Sequence, residues 1–307
     1  MSYDIIGDIH GHADVLKALL RKMGYRERDG AWRHADRTAL FIGDFVDRGP
    51  NQLETVSIVR AMVEAGAALA IMGNHEFNAI AWHTPDPESP GDHLRQHTSK
   101  NTYQHAAFLA ETKYNPESRK DILDWFMTLP LWLDLPGLRA VHACWHPEHI
   151  AYLQPLLQSG NRFDAALIEK ASRSGSAEFH AVEAILKGPE VELPDGMQFC
   201  MGDEVRREAR TRWWDTTATT FRQSAIVDKA TRPSLPDIEI PENVRFGYAG
   251  DKPVFIGHYW MTGQPTLLAP RVACVDYSAG KGGPLVAYRW DGESELDQRH
   301  FVGAEIS

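Results

Sequence analysis

Five places in this 307-residue sequence set oxygen or nitrogen donors directly behind a short apolar run. Asp8 and His10 follow Ile5, Ile6 and Gly7; Asp44, Asp47 and Arg48 follow Phe41, Ile42 and Gly43; Asn74, His75 and Glu76 follow Ile71, Met72 and Gly73. His142 closes the run at 138–141, and His258 follows Phe255, Ile256 and Gly257. Carboxylate, amide and imidazole groups are ligands that divalent transition metals accept. Asp8 and His10 stand two residues apart, so at a strand end they project to the same side. With Asp44 they compose one site, and Asn74, His142 and His258 compose a second. Asp44 stands between the two in chain order and bridges them. Two bridged cations about 3.5–4 Å apart lower the pKa of a shared water and hold both oxygens of an in-line displacement. Taken singly, each element has a plainer explanation: a capped turn for Asp8 and His10, a helix N-cap for Asn74, a hydrogen-bonded near-core histidine for His142. Five of them at five strand ends do not.

The pattern around them supplies those strands. Residues 3–7, 38–42 and 68–72 read as short buried strands. Between them, Val15, Leu16, Leu19, Leu20 and Met23 share one helical face, and Val56, Ile58, Val59, Met62 and Val63 mark a second helix. Strand, helix, strand, helix, strand implies a sheet covered by helices. In such sheets, functional groups collect beyond the carboxyl ends of the strands. Glycine before each Asp or Asn lets the chain turn sharply there. Further along, residues 84–101 read as a polar loop and 116–128 as a helix. Residues 138–141 and 253–256 read as strands, and 272–276 with 285–290 as a closing pair joined by the glycine-rich 278–283. Residues 147–245 are less regular, with helical patches at 162–187 and then scattered prolines; they read as an insertion or cap on the main sheet.

Composition sets outer limits. At 43% hydrophobic and 24% charged, the chain is an ordinary globular protein, large enough to fold without disulfides. A net charge of -10 argues against general nucleic-acid binding. Cys144, Cys200 and Cys274 are odd in number and far apart, which reads as reduced thiols in a cytoplasmic protein. Neither a signal peptide nor an apolar run long enough for a membrane span is visible.

GDIHG, GDFVDRG and GNHE, in this order over residues 7–76, resemble the signature of the phosphoprotein phosphatase family of calcineurin-like metallophosphoesterases. His142 and His258 match that family's later histidines. The resemblance implies a four-layer α/β/β/α metallophosphatase sandwich over residues 1–307, carrying the cap at about 147–245. It implies that Asp8, His10 and Asp44 ligate one metal and Asp44, Asn74, His142 and His258 the other. His75 would protonate the leaving oxygen, Asp47 would orient His75, and Arg48 and Asn74 would contact the phosphate, Arg48 gripping two oxygens with its planar guanidinium. The sequence departs from the family at Cys144-Trp145, where small residues are usual, and at Tyr259-Trp260. Trp145 either shapes the substrate entrance or packs under the cap. A second phosphate-gripping arginine has no matching motif; within residues 206–214 the candidate is Arg212. The other ten histidines receive no role.

The implied reaction is hydrolysis of phosphate esters by a metal-bridging hydroxide, without a phospho-enzyme. The first reading is a phosphatase for monoesters, including phosphoproteins and small phosphoesters. The alternative is a diadenosine tetraphosphate (dinucleoside polyphosphate) hydrolase, for which Trp213 and Trp214 would form stacking walls. A non-catalytic scaffold is the third, disfavoured because every ligand type is intact. Mn²⁺ is the expected metal, with Fe, Zn, Co and Ni also compatible with the donor set.

Overall fold

The computed structural model describes residues 1–201 and 204–306. Two sheets carry the fold. In the first, strands Ser2–Ile6, Arg37–Phe41 and Ala68–Ala70 run parallel, and Leu285–Trp290 and Phe301–Ala304 extend the sheet antiparallel beyond Ser2–Ile6. In the second, Val272–Cys274, Val254–Ile256 and Arg139–Val141 are parallel neighbours, and Trp132–Asp134 closes the edge antiparallel.

Period-two alternation sends successive side chains of these strands to different cores. Ile5, Leu40, Ala140, Phe255 and Ala273 enter the space between the sheets, where they meet Tyr288 and Trp290. Their neighbours Ile6, Phe41, Val141, Ile256 and Cys274 face the helical side. A strand buried on both faces has no polar alternation, which is why these segments read as unbroken apolar runs. Helices Ala13–Met23 and Gln52–Glu64 lie against the first sheet. Residues such as Leu153 and Ile185, from helices Pro147–Leu153 and Ala177–Lys187, join the outer core of the second. The result is the α/β/β/α sandwich.

Three expectations change. Residues 272–274 and 285–290 do not pair with each other; they belong to different sheets. Val272 and Cys274 face one core and Ala273 the other, so this strand needs cover on both sides and takes the parallel edge beside Val254–Ile256. The glycine-rich stretch between them is a crossing from sheet to sheet. The polar segment at 84–101 ends in a helix, Ser99–Thr112, capped by the Thr98 side chain. Trp213 and Trp214 are only 2% and 6% exposed, packed with Phe246 and Tyr259, so neither offers an open stacking face. The Trp213 indole N–H donates to the Ala143 carbonyl and the Tyr259 hydroxyl, which anchors this part of the chain beneath the second sheet's loops.

Between 147 and 245 the chain is not uniform. Helices Pro147–Leu153, Ala165–Ala171 and Ala177–Lys187 share the main core. Beyond them, Val191, Phe199, Ala209, Phe221 and Leu235 form a small cluster of their own. Among the described residues, no helix is long and apolar enough to cross a membrane.

The strand ends are drawn together by glycine. Gly43 sits at φ +93°, and a Cβ there would lie 2.4 Å from the Gly73 nitrogen. Replacing Gly43 with Ala is expected to lower stability by roughly 2–4 kcal/mol, combining left-handed strain with overpacking. Urea unfolding of the metal-free protein measures it; an unchanged midpoint would mean that the two loops are not locked to each other.

Candidate active site

Loops at the ends of five strands meet at one buried point centred on Asp44. Their backbones are unusual. His10, Asp44, Asp47, Arg48, His258, Trp260 and Ser278 all take positive φ, and among the described non-glycine residues only Asp29 and Asn161 do so elsewhere. Conformations of this kind cost of order 1–3 kcal/mol each and persist where the surroundings enforce them.

Asp44 Oδ1 accepts the His75 amide at 2.9 Å. Its Oδ2 faces three imidazoles: His142 Nε2 at 3.4 Å, His10 Nε2 at 3.7 Å and His75 Nε2 at 3.9 Å. On the far side, Asn74 Oδ1 accepts from His142 Nε2 at 3.0 Å and His258 Nδ1 at 2.8 Å. His142 is oriented by its Nδ1–H, which donates to the Ile42 carbonyl, and His10 likewise donates to Val46. Asp8 Oδ2 accepts the His258 amide at 3.0 Å, and Asp8 Oδ1 is pressed against Gly257, where a Cβ would come within 2.1 Å.

Two groups of donor atoms lie within 4.8 Å of one another: His10, Asp44 and His75, and Asp44, His142 and His258. Asp44 belongs to both. Asp8 adjoins these groups through its contacts with the His258 loop and falls in neither. Asp8 Oδ1, His10 Nε2 and His258 Nε2 are buried without a hydrogen-bond partner. Buried polar atoms are normally paired, so three orphans in one cluster require explanation. Among the described residues, no Lys or Arg forms an ion pair with the buried carboxylates Asp8, Asp44, Glu76 or Asp276. Burial, and the neighbouring Asp276, push the Asp8 carboxyl well above its ordinary range. Burial and His75 push His10 down to about 3. Divalent cations would satisfy the orphaned atoms and neutralise the crowded carboxylates at once. The donor set is of the mixed N/O kind such ions take, so the residues fit a metal centre.

Beside this cluster runs a second chain of groups. His75 Nδ1–H donates to Asp47 Oδ2 at 2.6 Å, and His105 Nδ1–H donates to Asp47 Oδ1 at 2.8 Å. Burial opposes the charge on His75, but the Asp44 and Asp47 carboxylates outweigh it and raise its pKa. Burial likewise opposes the Asp47 carboxylate, and the hydrogen bonds from His105 and His75 hold it well below its usual range. A raised imidazole against a fixed carboxylate can carry a proton to a nearby oxygen.

Sequence reasoning passed over several of these residues. His105 sits on the unforeseen helix Ser99–Thr112. Glu76, inside the GNHE motif, accepts the Gly73, Asp44 and Phe45 amides and so binds two of the donor-bearing loops to each other. Asp276 accepts the Trp260 and Ser278 amides. A carboxylate at the end of the apolar run 272–275 was the available signal for Asp276. Of the candidates from the arginine run, Arg212 is tied to Asp215 and to the Gln223 carbonyl and touches none of the cluster residues. Arg210 is the one whose charge bears on His258. Trp145 is buried against Arg139, so it packs rather than lines an entrance. Burial pushes the neighbouring Cys144 thiol well up, which makes it inert.

A family model described as calcineurin-like phosphoesterase matches residues 1–164. A Bacillus velezensis protein named bis(5'-nucleosyl)-tetraphosphatase PrpE [asymmetrical] is 47% identical over 76 residues, 24% of this chain and 30% of that protein. An Oceanobacillus iheyensis protein of the same name is 30% identical over 152 residues, 49% of this chain and 58% of that protein. The chain thus spans between 30% and 58% of the length of these curated relatives. Among solved structures, a protein serine/threonine phosphatase from Saccharomyces cerevisiae aligns with TM-score 0.53 and 16% identity, over 100% of this chain and 80% of that one. A cold-active protein-tyrosine phosphatase from a psychrophilic Shewanella aligns with TM-score 0.50 and 18% identity, over 99% and 80%. At these identities the structural likeness concerns the fold alone.

Proposed function

The chain belongs to the calcineurin-like phosphoesterase family, and on that footing we propose that it hydrolyses phosphoester or phosphoanhydride bonds with two divalent cations. Asp8, His10 and Asp44 hold one cation; Asp44, Asn74, His142 and His258 hold the other. The observation that carries this reading is the trio of orphaned buried atoms, Asp8 Oδ1, His10 Nε2 and His258 Nε2, around a carboxylate shared by both donor groups. When bound, such a pair supplies an activated water and neutralises charge on the phosphoryl oxygens. Everything else is the work of the chain. Glu76 and the His75 amide fix the Asp44 loop and carboxylate. His75, with Nδ1 committed to Asp47, presents Nε2 and holds the proton for the departing oxygen. Arg48 takes the phosphoryl oxygens, and Asn74 contacts them as well.

For the substrate, the names of the relatives support dinucleoside polyphosphates. A second reading, phosphomonoesters of the phosphoprotein type, is favoured by the His75–Asp47–His105 chain. A strongly basic alkoxide needs protonation as it leaves, whereas a departing phosphate needs little. The test is phosphate and nucleotide release from p-nitrophenyl phosphate, a phosphopeptide and diadenosine tetraphosphate by the Mn²⁺-loaded protein. Faster cleavage of the dinucleotide supports the first reading, and turnover of the phosphopeptide alone supports the second. Inactivity on all three with metal bound would overturn both.

A further inference from the structure

Beside the metal-facing cluster stands a tryptophan that carries two cations. The Trp260 ring stacks on His10, with centroids 5.4 Å apart and planes at 22°. The Arg48 guanidinium lies 4.5 Å from the Trp260 centroid and the Lys281 ammonium 4.1 Å from it. Two positive charges are thus held on one indole, which is stacked on a histidine that faces Asp44. The arrangement is built, not incidental. Trp260 is fixed at φ +52° with its amide bound by Asp276. Lys281 ends the short turn Ala279–Lys281, and that turn reaches the site because residue 280 is glycine. A Cβ on Gly280 would lie 2.7 Å from the His10 ring and 2.8 Å from the Arg48 stem.

Both cations reach solvent, and among the described residues no acidic partner is bound to either. The nearest acidic influence on Lys281 is Asp276, whose two oxygens are already engaged by the Trp260 and Ser278 amides. Partial desolvation, and then Arg48, lower the Lys281 pKa, while the residue itself stays exposed. Like charges brought together by cation–π contact and left without an acidic partner form a receptor for an anion.

We propose that Arg48 and Lys281, mounted on Trp260, form a subsite for a second anionic group next to the scissile phosphoryl, the adjacent phosphate of a polyphosphate chain. Arg48 spans the two positions, and Lys281 belongs to the second alone. A monoester with a neutral leaving group leaves Lys281 unused. The inference rests on the proposed phosphoesterase reading for the location of the scissile group, but its binding test does not require turnover.

The probe is methylenediphosphonate, which cannot be hydrolysed at its bridge, compared with inorganic phosphate. Binding of each is measured by calorimetry to Mn²⁺-loaded protein and to its Lys281→Met variant, which retains the apolar stem on Trp260. Chelation of free cation acts equally on both proteins and cancels. One lost charge-assisted contact is expected to weaken the diphosphonate about tenfold, leave phosphate within about twofold, and be restored by Lys281→Arg. Parallel kinetics should show KM for diadenosine tetraphosphate rising by a similar factor, with p-nitrophenyl phosphate unaffected. Equal losses for both probes, or none for either, would overturn the subsite. Should the parent bind the diphosphonate with this selectivity yet cleave nothing, the subsite would stand and the hydrolytic reading would fall.

Discussion

Asp44→Asn is expected to cost at least about 10³-fold in kcat/KM, the upper end of what loss of one preorganised electrostatic group costs. It should also remove the metal. Asp44 is the one carboxylate common to both donor groups, so its charge serves both positions. The amide keeps an oxygen for the His75 N–H, and the backbone around it stays held by Glu76. The protein should therefore fold. Its metal-free form should nonetheless be less stable than the parent: burial opposes the Asp44 carboxylate, but His142 and His75 outweigh it and hold it well below its usual range, and the neutral amide forfeits that attraction. What should vanish is the rise in melting temperature on adding Mn²⁺, since a ligand stabilises only a state that binds it. Elemental analysis with thermal unfolding, with and without Mn²⁺, checks both halves. Full metal content in the variant would mean that Asp44 does not bridge.

Much of this site is legible in sequence because chemistry and backbone are written side by side. Gly43 and Asp44, or Gly257 and His258, put a close approach and a donor in consecutive positions behind an apolar strand. His258 follows this rule and His142 shares only its strand end, although more than sixty residues of chain separate each from the previous donor. The residues that escaped do so for physical reasons. In helix Ser99–Thr112 only His105, Phe108 and Thr112 are buried. Its other apolar residues, Tyr103, Ala106, Ala107, Leu109 and Ala110, do not align with Phe108 on one face, so the periodic signal is weak, and a histidine on its inner face looks like any other. Lys281 was hidden by topology. A glycine-rich stretch between two apolar runs reads as a hairpin turn, whereas here it crosses between sheets and brings Gly280 against His10. Trp213 and Trp214 misled in the opposite direction. Their arginine neighbours suggest a surface, and only the packing of Phe246 and Tyr259 against them reveals a core. Local pattern exposes what a loop contains, but not which distant element covers it.

His75→Asn separates acid catalysis from binding, and its expected effect depends on the leaving group. The ring is poised to give up a proton, with its pKa raised by Asp44 and Asp47 against the pull of burial. Loss of a general acid costs typically about 10²–10⁴-fold where the departing oxygen is strongly basic. An alkyl phosphate such as a phosphoserine peptide should fall within that range. p-Nitrophenolate leaves without help, so p-nitrophenyl phosphate should lose less than about tenfold. Metal content should be unchanged, because the ligands proposed for both cations remain; a loss of metal would instead make His75, which lies in the donor group with His10 and Asp44, a ligand. The third member of the chain gives an internal control. His105→Phe removes the donor to Asp47 Oδ1, while His105→Asn places an amide N–H near the position of the lost Nδ1–H. If His105 orients Asp47, the phenylalanine variant should show a weaker form of the same leaving-group dependence in kcat, and the asparagine variant should recover most of it. A purely structural His105 would instead lower the melting temperature without distinguishing the two substrates. An equal loss on both substrates in His75→Asn would assign His75 to binding, and the proton of the departing oxygen would have to come from elsewhere.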